Sequence, residues 1–357
     1  MDWFERLTGF PERGYAETQA RLSVVDGRLR SSVMQRTHAV GTFELPSLSE
    51  LRARGRAVDL PGRLRLSIAE GDVRKMHRLP ENRGAVFQVA SQFNMLEMVD
   101  EDITPEDGVT GYAHDGTQGP ACAIAAGAAT IYRNYLVPVD GAIGQTADRQ
   151  LDGLADLGRE LAGHLRKPVS ALWRMQNGYA LATAGGLAAI GGLLTEADDA
   201  TRDALRGLLR IGVHWDAEVT DGHAPGPLVT QAFCSALPVA YSDVPTAAWA
   251  PFAHLILEAA YEATLLTGVL NAARGGSRRV LLTRLGGGAF GNADAWIDEA
   301  LLRACQLLLS AELDVAIVSH RRPPRTLHAL IDRFNQCERD ELSWAITAQN
   351  RRKGPAW

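Results

Sequence analysis

The sequence predicts an α/β fold: a sheet carrying helices on both of its faces. Three observations lead there. Strand-like and helix-like segments alternate through the second half of the chain. A run of three glycines, Gly286-Gly287-Gly288, separates a strand from a helix in that half. A block of helical periodicity over about 145–208 interrupts the alternation, as an insertion into the sheet would.

In chain order, residues 1–60 mix Arg, Gly and scattered apolar residues and read as a hairpin-like extension followed by a short helix from Ser47 to Arg54. Ser47 with Glu50 three residues on forms a capping-box pattern. Leu64, Leu66 and Ile68 alternate with polar residues, the pattern of a half-buried strand. Ala85 to Ala90 reads as a more buried strand, and Ala121 to Tyr132 as a packed helix of small residues. Leu151, Leu154, Leu157, Leu161 and Leu165 recur at helical spacing, and helix is expected to continue over Ala171 to Leu194. Thr195 to Asp199 reads as a helix start. Strands are expected at Ile211–Val219 and Val229–Ala240, then a long helix from Pro251 to Ala273. The strand Arg279–Thr283, a helix from Ala293 to Leu309 and the strand Val315–Val318 complete the pattern. This gives an extension over 1–60, a core over 61–335 and a tail over 336–357.

The bulk properties narrow the function classes. The 357 residues are 46% hydrophobic, enough for one large core, and the formal net charge of −5 with only short basic clusters such as Arg351-Arg352-Lys353 argues against nucleic-acid binding. The four cysteines, Cys122, Cys234, Cys305 and Cys337, form no CxxC pair, which argues against a zinc site or a secreted disulfide scaffold. No signal-peptide pattern opens the chain and no stretch is read as a membrane span, so a cytoplasmic protein without membrane contact is expected.

Four segments could carry chemistry. The strongest is Leu281 to Asn292, a strand, a glycine run and then a helix. Glycine lets backbone N–H groups face an anion without side-chain obstruction, and the helix start adds a favourable dipole. Three consecutive glycines exceed what a turn needs, so phosphate binding is favoured over a plain strand-to-helix turn. It is neither a Walker loop nor the dinucleotide fingerprint. The second is Thr117 to Gly127, where Gly119 leads into a helix of small residues; a ligand loop and ordinary close packing stand equal. The third is the acidic stretch holding Glu97, Asp100, Glu101, Asp102, Glu106, Asp107, His114 and Asp115. Such stretches are usually solvated loops, but this one runs into the Gly119 loop, and a carboxylate there could orient water or stabilise a cationic sugar. The fourth, Glu70-Gly71-Asp72-Val73, ends the first core strand and says little alone.

Other residues read as structural. His214, His254 and His320 lie in or beside apolar segments without a visible partner. Glu258 and Glu262 lack the His of a metal bundle and read as a surface stripe. Cys122 has no neighbour that would activate it, and Trp173 with Asn177-Gly178-Tyr179 reads as packing.

Taken in order, the four segments resemble the macrodomain superfamily. Glu70-Gly71-Asp72-Val73 resembles the element that holds adenine in that family, with Asp72 and Val73 in that role. Val86 to Asn94 is similar in place to the strand and loop near the distal ribose, which implies roles for Ser91 and Asn94. Gln118-Gly119-Pro120-Ala121-Cys122 resembles the first phosphate loop. Gly286-Gly287-Gly288-Ala289-Phe290-Gly291-Asn292 resembles the second, in the version found in poly(ADP-ribose) glycohydrolases, with Phe290 against the ribose or diphosphate. The usual Asn-Ala-Ala-Asn segment and the paired glutamates of those glycohydrolases are missing. The acidic stretch before Gln118 is similar to a MavL-like branch that removes ADP-ribose from arginine with aspartates.

The resemblance covers roughly 63–140 and 210–320. It implies a three-layer α/β/α mixed sheet that binds ADP-ribose or an ADP-ribosylated protein and hydrolyses the glycosidic bond, with no metal or other cofactor. Gly286, Gly287, Gly288, Ala289, Phe290 and Asn292 would hold the diphosphate with Gln118 and Gly119, and Asp107 and Asp115 would be catalytic. A non-catalytic reader of ADP-ribose and another nucleotide enzyme on the same scaffold remain open.

Overall fold

Side chains on the central strands alternate between two separate apolar clusters, which is what a sheet covered on both faces requires. Val86, Val280 and Leu282 enter one cluster, while Phe87, Val89 and Leu281 enter the other. The computed structural model describes residues 1–336. Cys337, the cluster Arg351-Arg352-Lys353 and nearly all of the expected tail lie outside the described residues.

The sheet has seven strands: β1 (Thr42–Glu44), β2 (Arg65–Glu70), β3 (Val86–Ala90), β4 (Gly212–Glu218), β5 (Leu228–Cys234), β6 (Arg279–Leu282) and β7 (Asp314–Ser319). Their spatial order is β1-β4-β5-β3-β6-β7-β2. The run β5-β3-β6-β7-β2 is parallel throughout, and β4 is antiparallel to both its neighbours. The sheet is therefore mixed. Part of the expected extension is built into it: Thr42–Glu44 forms its edge, while the strands at Leu22–Val25, Arg28–Ser31 and His38–Ala39 make a separate three-stranded sheet.

One face is covered by helices α1 (Leu48–Gly55), α4 (Ala184–Glu196), α5 (Thr246–Ala273) and α6 (Asp294–Leu307); the other by α2 (Gln118–Ala125) and α3 (Gly127–Tyr135). The α1 N-terminus carries the expected capping box, with Ser47 and Glu50 each bonding the other's backbone N–H. The helix expected over Ala121–Tyr132 is split at Ala126, whose φ of −114° and ψ of 56° leave the helical region.

The 28-residue α5 is predominantly apolar, and 19 of its residues are buried. By length and composition it is apolar enough to cross a membrane, which the sequence reading did not single out; 89% of that apolar window is buried, and here it is the central core helix. Each fully buried Leu or Ile along it contributes about 1.5–3 kcal/mol. Glu258 and Glu262, expected as a surface stripe, instead face arginines. Glu262 is buried and pairs with Arg52 at 2.5 Å and Arg303 at 2.9 Å, and Glu258 pairs with Arg206 at 2.5 Å.

A second correction falls in the inserted block. Continuous helix was expected over Ala171–Leu194, but Trp173–Gln176 and Tyr179–Ala182 form an antiparallel hairpin before α4 begins. Its two-residue turn is Asn177-Gly178, both at positive φ (45° and 80°), the turn whose twist matches a hairpin's strands.

Candidate functional site

In open parallel sheets the strand ends and the loops leaving them form a crevice at the carboxyl edge. Here β2, β3, β6 and β7 all deliver their carboxyl ends to one side, and two cavities lie there. The first, of about 350 Å³, is bounded by Ser91, Gln118, Tyr179, Tyr241, Arg284 and Phe290 among others. The second, of about 370 Å³, is bounded by Asp72, Val73, Arg74, Tyr112 and His320 among others. Asp115, Thr117, Gln118 and Thr283 line both, so the two form one cleft divided at Gln118.

The glycine loop leaves β6. Tyr261 of α5 ties down its root: the phenol donates to the Thr283 carbonyl at 2.8 Å and accepts from the Leu285 N–H at 2.9 Å. Gly286 stands at φ 75°, and a Cβ on it would come within 2.5 Å of the Ala236 side chain, so only glycine fits. The Asn292 N–H donates back to the Gly286 carbonyl at 2.9 Å, and the Asn292 side-chain amide donates to the Leu237 carbonyl at 2.8 Å. Asn292 is thus a buried brace of the loop. Gly287 is exposed but lines neither cavity, and its N–H donates to the Arg284 carbonyl at 3.1 Å. The remaining amides differ. Among the described residues the backbone N–H groups of Gly286, Gly288, Ala289 and Phe290 have no protein acceptor, and all four residues line the first cavity. Unpaired amides beside a cavity are donors available to an anion. Arg284 lines the same cavity and is held by Asp294 at 2.8 Å and by Asp298.

The Gly119 loop is built differently. The Gln118 side chain continues the edge of β3: its amide oxygen accepts from the Ala90 N–H at 2.9 Å and its amide nitrogen donates to the Gln88 carbonyl at 2.8 Å. A Cβ on Gly119 would lie 1.9 Å from the Ala90 carbonyl oxygen. Here glycine admits a backbone, so the packing explanation of this motif accounts for it. Gln118 and Gly119 both still border the cleft.

The acidic stretch is divided by the fold. Asp115 borders both cavities, and its carboxylate accepts from the Thr117 N–H at 2.8 Å. Asp107 lines neither; its carboxylate caps a short turn, accepting from the Thr104 N–H and hydroxyl, each at 2.8 Å. Asp72 likewise caps a turn, accepting from the Arg74 N–H at 2.9 Å, yet it and Val73 border the second cavity. Ser91 borders the first cavity, its hydroxyl donating to the Gln92 carbonyl at 3.1 Å. Asn94 does not reach the cleft. It is fully buried, accepts from the Leu96 N–H at 3.1 Å and donates to Gln150 at 2.8 Å.

Two features, an aromatic cluster and the burial of Glu97, were not read from the sequence. Tyr179, Tyr241 and Phe290 form a ring cluster on the first cavity, with centroids 5.3–5.7 Å apart. Burial raises the Tyr241 phenol, and Glu101, Asp100 and Asp115 add to the shift, which marks this rim as acidic. Tyr179 arrives on the inserted hairpin, and the Asn-Gly dipeptide was the signal that could have found it. Finally, Glu97 lies beneath the cavity with both carboxylate oxygens sealed and without a hydrogen-bond partner among the described residues. Burial pushes its carboxyl up to about 8, against the opposing pull of Arg133 3.7 Å away. Cys122 is fully buried and its thiol is pushed well up by burial, the opposite of a reactive thiolate. His214 is buried beside Arg133, and burial drives it well below the usual imidazole range. His254 lies 3.9 Å from Glu299, and His320 borders the second cavity. No cluster of three or more metal-ligating side chains occurs among the described residues.

No protein-family model matches the chain, and no curated protein does. Among solved structures, it is similar to a poly(ADP-ribose) glycohydrolase from Thermomonospora curvata at 15% identity, covering 89% of this chain and 95% of that one, with a TM-score of 0.41. A poly(ADP-ribose) glycohydrolase from Deinococcus radiodurans in complex with ADP-ribose is similar at 10% identity, covering 82% and 92%, also with a TM-score of 0.41.

Proposed function

We propose that the cleft binds ADP-ribose and releases it from a modified protein side chain, as an ADP-ribosyl glycohydrolase. The observation that carries this is the row of unpartnered amides at Gly286, Gly288, Ala289 and Phe290, lining a cavity that joins a second one across Gln118. A diphosphate satisfies those amides, and their fixed orientation costs no reorganisation on binding. The adenosine half then occupies the cavity at Asp72 and Val73. The distal ribose occupies the cavity between those amides and the rings of Tyr179, Tyr241 and Phe290, with Ser91 at its side.

Cleavage of the glycosidic bond develops positive charge on the distal ribose. Asp115 is the carboxylate that borders both cavities, so it is assigned to stabilise that charge or orient the attacking water. Asp107, whose carboxylate caps the turn at Thr104 away from the cleft, is assigned a role in stability and none in the reaction. The acidic rim of Asp100, Glu101 and Asp115 beside the tyrosine rings suits a cationic guanidinium, which favours arginine as the modified side chain.

The test is incubation with an ADP-ribosyl-arginine protein, with released ADP-ribose measured by mass spectrometry and binding of free ADP-ribose by calorimetry. Release together with binding is expected. Binding without release on any linkage makes the protein a reader. Binding of NAD or ATP in preference to ADP-ribose overturns the assignment altogether.

A further inference from the structure

The turn that carries Asp115 to the cleft is held at its start by a residue from near the N-terminus. Trp3, Phe4, Leu7 and Phe10 pack in the same apolar cluster as Val109 and Tyr112. Glu12 follows two residues after Phe10. Its carboxylate accepts from the Val109 N–H at 3.0 Å and from the Thr110 N–H at 2.7 Å. The Tyr135 phenol, at the end of α3, donates to the same carboxylate at 2.7 Å. Gly108 stands at φ 82°, and a Cβ on it would lie 2.5 Å from that carboxylate, so glycine there leaves room for Glu12.

Residues Thr110–His114 form a short 3-10 helix. Glu12 satisfies backbone donors at its start, as a capping side chain does, but from 97 and 98 positions away in the chain. From there the hydrogen bonds run to the cleft without a gap. The Val109 carbonyl accepts from the Tyr112 N–H, and the Tyr112 carbonyl accepts from the Asp115 N–H, each at 3.2 Å. The Asp115 carboxylate then accepts from the Thr117 N–H at 2.8 Å. The Tyr112 phenol pins the middle of the turn, accepting from the Glu97 N–H at 3.1 Å.

We infer that Glu12 is a positioning residue for the reaction: it fixes the turn whose far end sets where the Asp115 carboxylate lies. Glu12 lines neither cavity of the cleft, so it acts through Asp115 and touches no ligand. The inference rests on the role proposed above for Asp115. Misplacing a reacting group by about 1 Å costs up to about 100-fold in rate, whereas contacts to the rest of the ligand are untouched. Loss of the Glu12 tie therefore separates rate from affinity. The N-terminal extension serves the cleft without reaching it.

The experiment places Glu12→Gln in the full chain, alone and together with Asp115→Asn. The substitution puts an amide donor where backbone N–H groups need an acceptor. Release of ADP-ribose per folded molecule is expected to fall about tenfold, with affinity for free ADP-ribose within about twofold. In the Asp115→Asn background it is expected to cost nothing further, because the two residues act as one unit. Amide hydrogen exchange followed by NMR reads the tie without turnover. The Tyr112 and Asp115 amides are expected to exchange about tenfold faster in Glu12→Gln. The Ala90 amide, bonded to Gln118 in the same cleft, keeps its rate. Gly108→Ala, which crowds the same carboxylate, is expected to reproduce both effects. Unchanged exchange at Asp115, exchange quickened equally at Ala90, or a full rate loss persisting beside Asp115→Asn overturns the inference. Failure of the proposed reaction looks different: the natural chain then releases no ADP-ribose, while faster exchange at Asp115 still upholds the tie.

Discussion

The two glycine loops of the cleft show how one residue type serves opposite ends. Gly119 is needed because a backbone carbonyl, that of Ala90, lies where its side chain would be. Gly288 has nothing within 4 Å of that position, and its amide is free. The first glycine lets the protein pack against itself; the second leaves room for something that is not protein. Open space with unpaired donors is the mark of a ligand loop, and glycine content alone is not.

Substitution of each glycine by alanine tests that contrast. Gly119→Ala is expected to cost about 3 kcal/mol of stability, read by urea unfolding, because the Ala90 carbonyl belongs to a core strand and has little room to yield. A stable Gly119→Ala protein with lost ligand binding would erase the distinction. The acidic stretch divides in the same way, between Asp115 at the cleft and Asp107 in a turn. Asp115→Asn is expected to slow release of ADP-ribose about 100-fold while calorimetry shows nearly unchanged affinity.

Glu97, beneath the cavity, gives a pH signature. Its carboxyl titrates near 8 in the folded state but in the ordinary carboxylate range when unfolded, so the folded state holds the proton more tightly between those limits. Stability therefore falls as pH rises through that window. Glu97→Gln, which mimics the protonated form, is expected to flatten the slope of the urea midpoint against pH. An unchanged slope would assign the effect to another group.

Gly288→Ala is the counterpart of Gly119→Ala. Stability should stay within about 0.5 kcal/mol, while the added methyl group meets the ligand and weakens ADP-ribose binding about tenfold. The smallest effect is expected at Asp107→Ala: about 1 kcal/mol of stability from the lost cap, with turnover per folded molecule unchanged. A large turnover loss at Asp107 would move it back into the catalytic site.

Most of the sheet was legible because buried parallel strands are short apolar runs and amphipathic helices repeat every three or four residues. Val86–Ala90, Arg279–Leu282 and Asp314–Ser319 were all found within a residue or two. The inserted hairpin was not, since Trp173 to Ala182 is apolar enough to continue a helix and only Asn177-Gly178 marks the turn. The glycine loop was also legible, because three glycines between a strand and a helix are a local feature.

By itself the sequence determined the alternation of elements and the loop with exposed amides, both of which depend on neighbours along the chain. Only the tertiary structure decided which of the many acids border the cleft. Asp107 and Asp115 are eight positions apart in one polar stretch, and composition cannot tell a turn cap from a cavity wall. It decided as well that Asn94 and Asn292 point into the protein, that Tyr179 and Tyr241 join Phe290, and that Gly119 yields to the Ala90 carbonyl. Each of those outcomes depends on atoms brought together from distant parts of the chain.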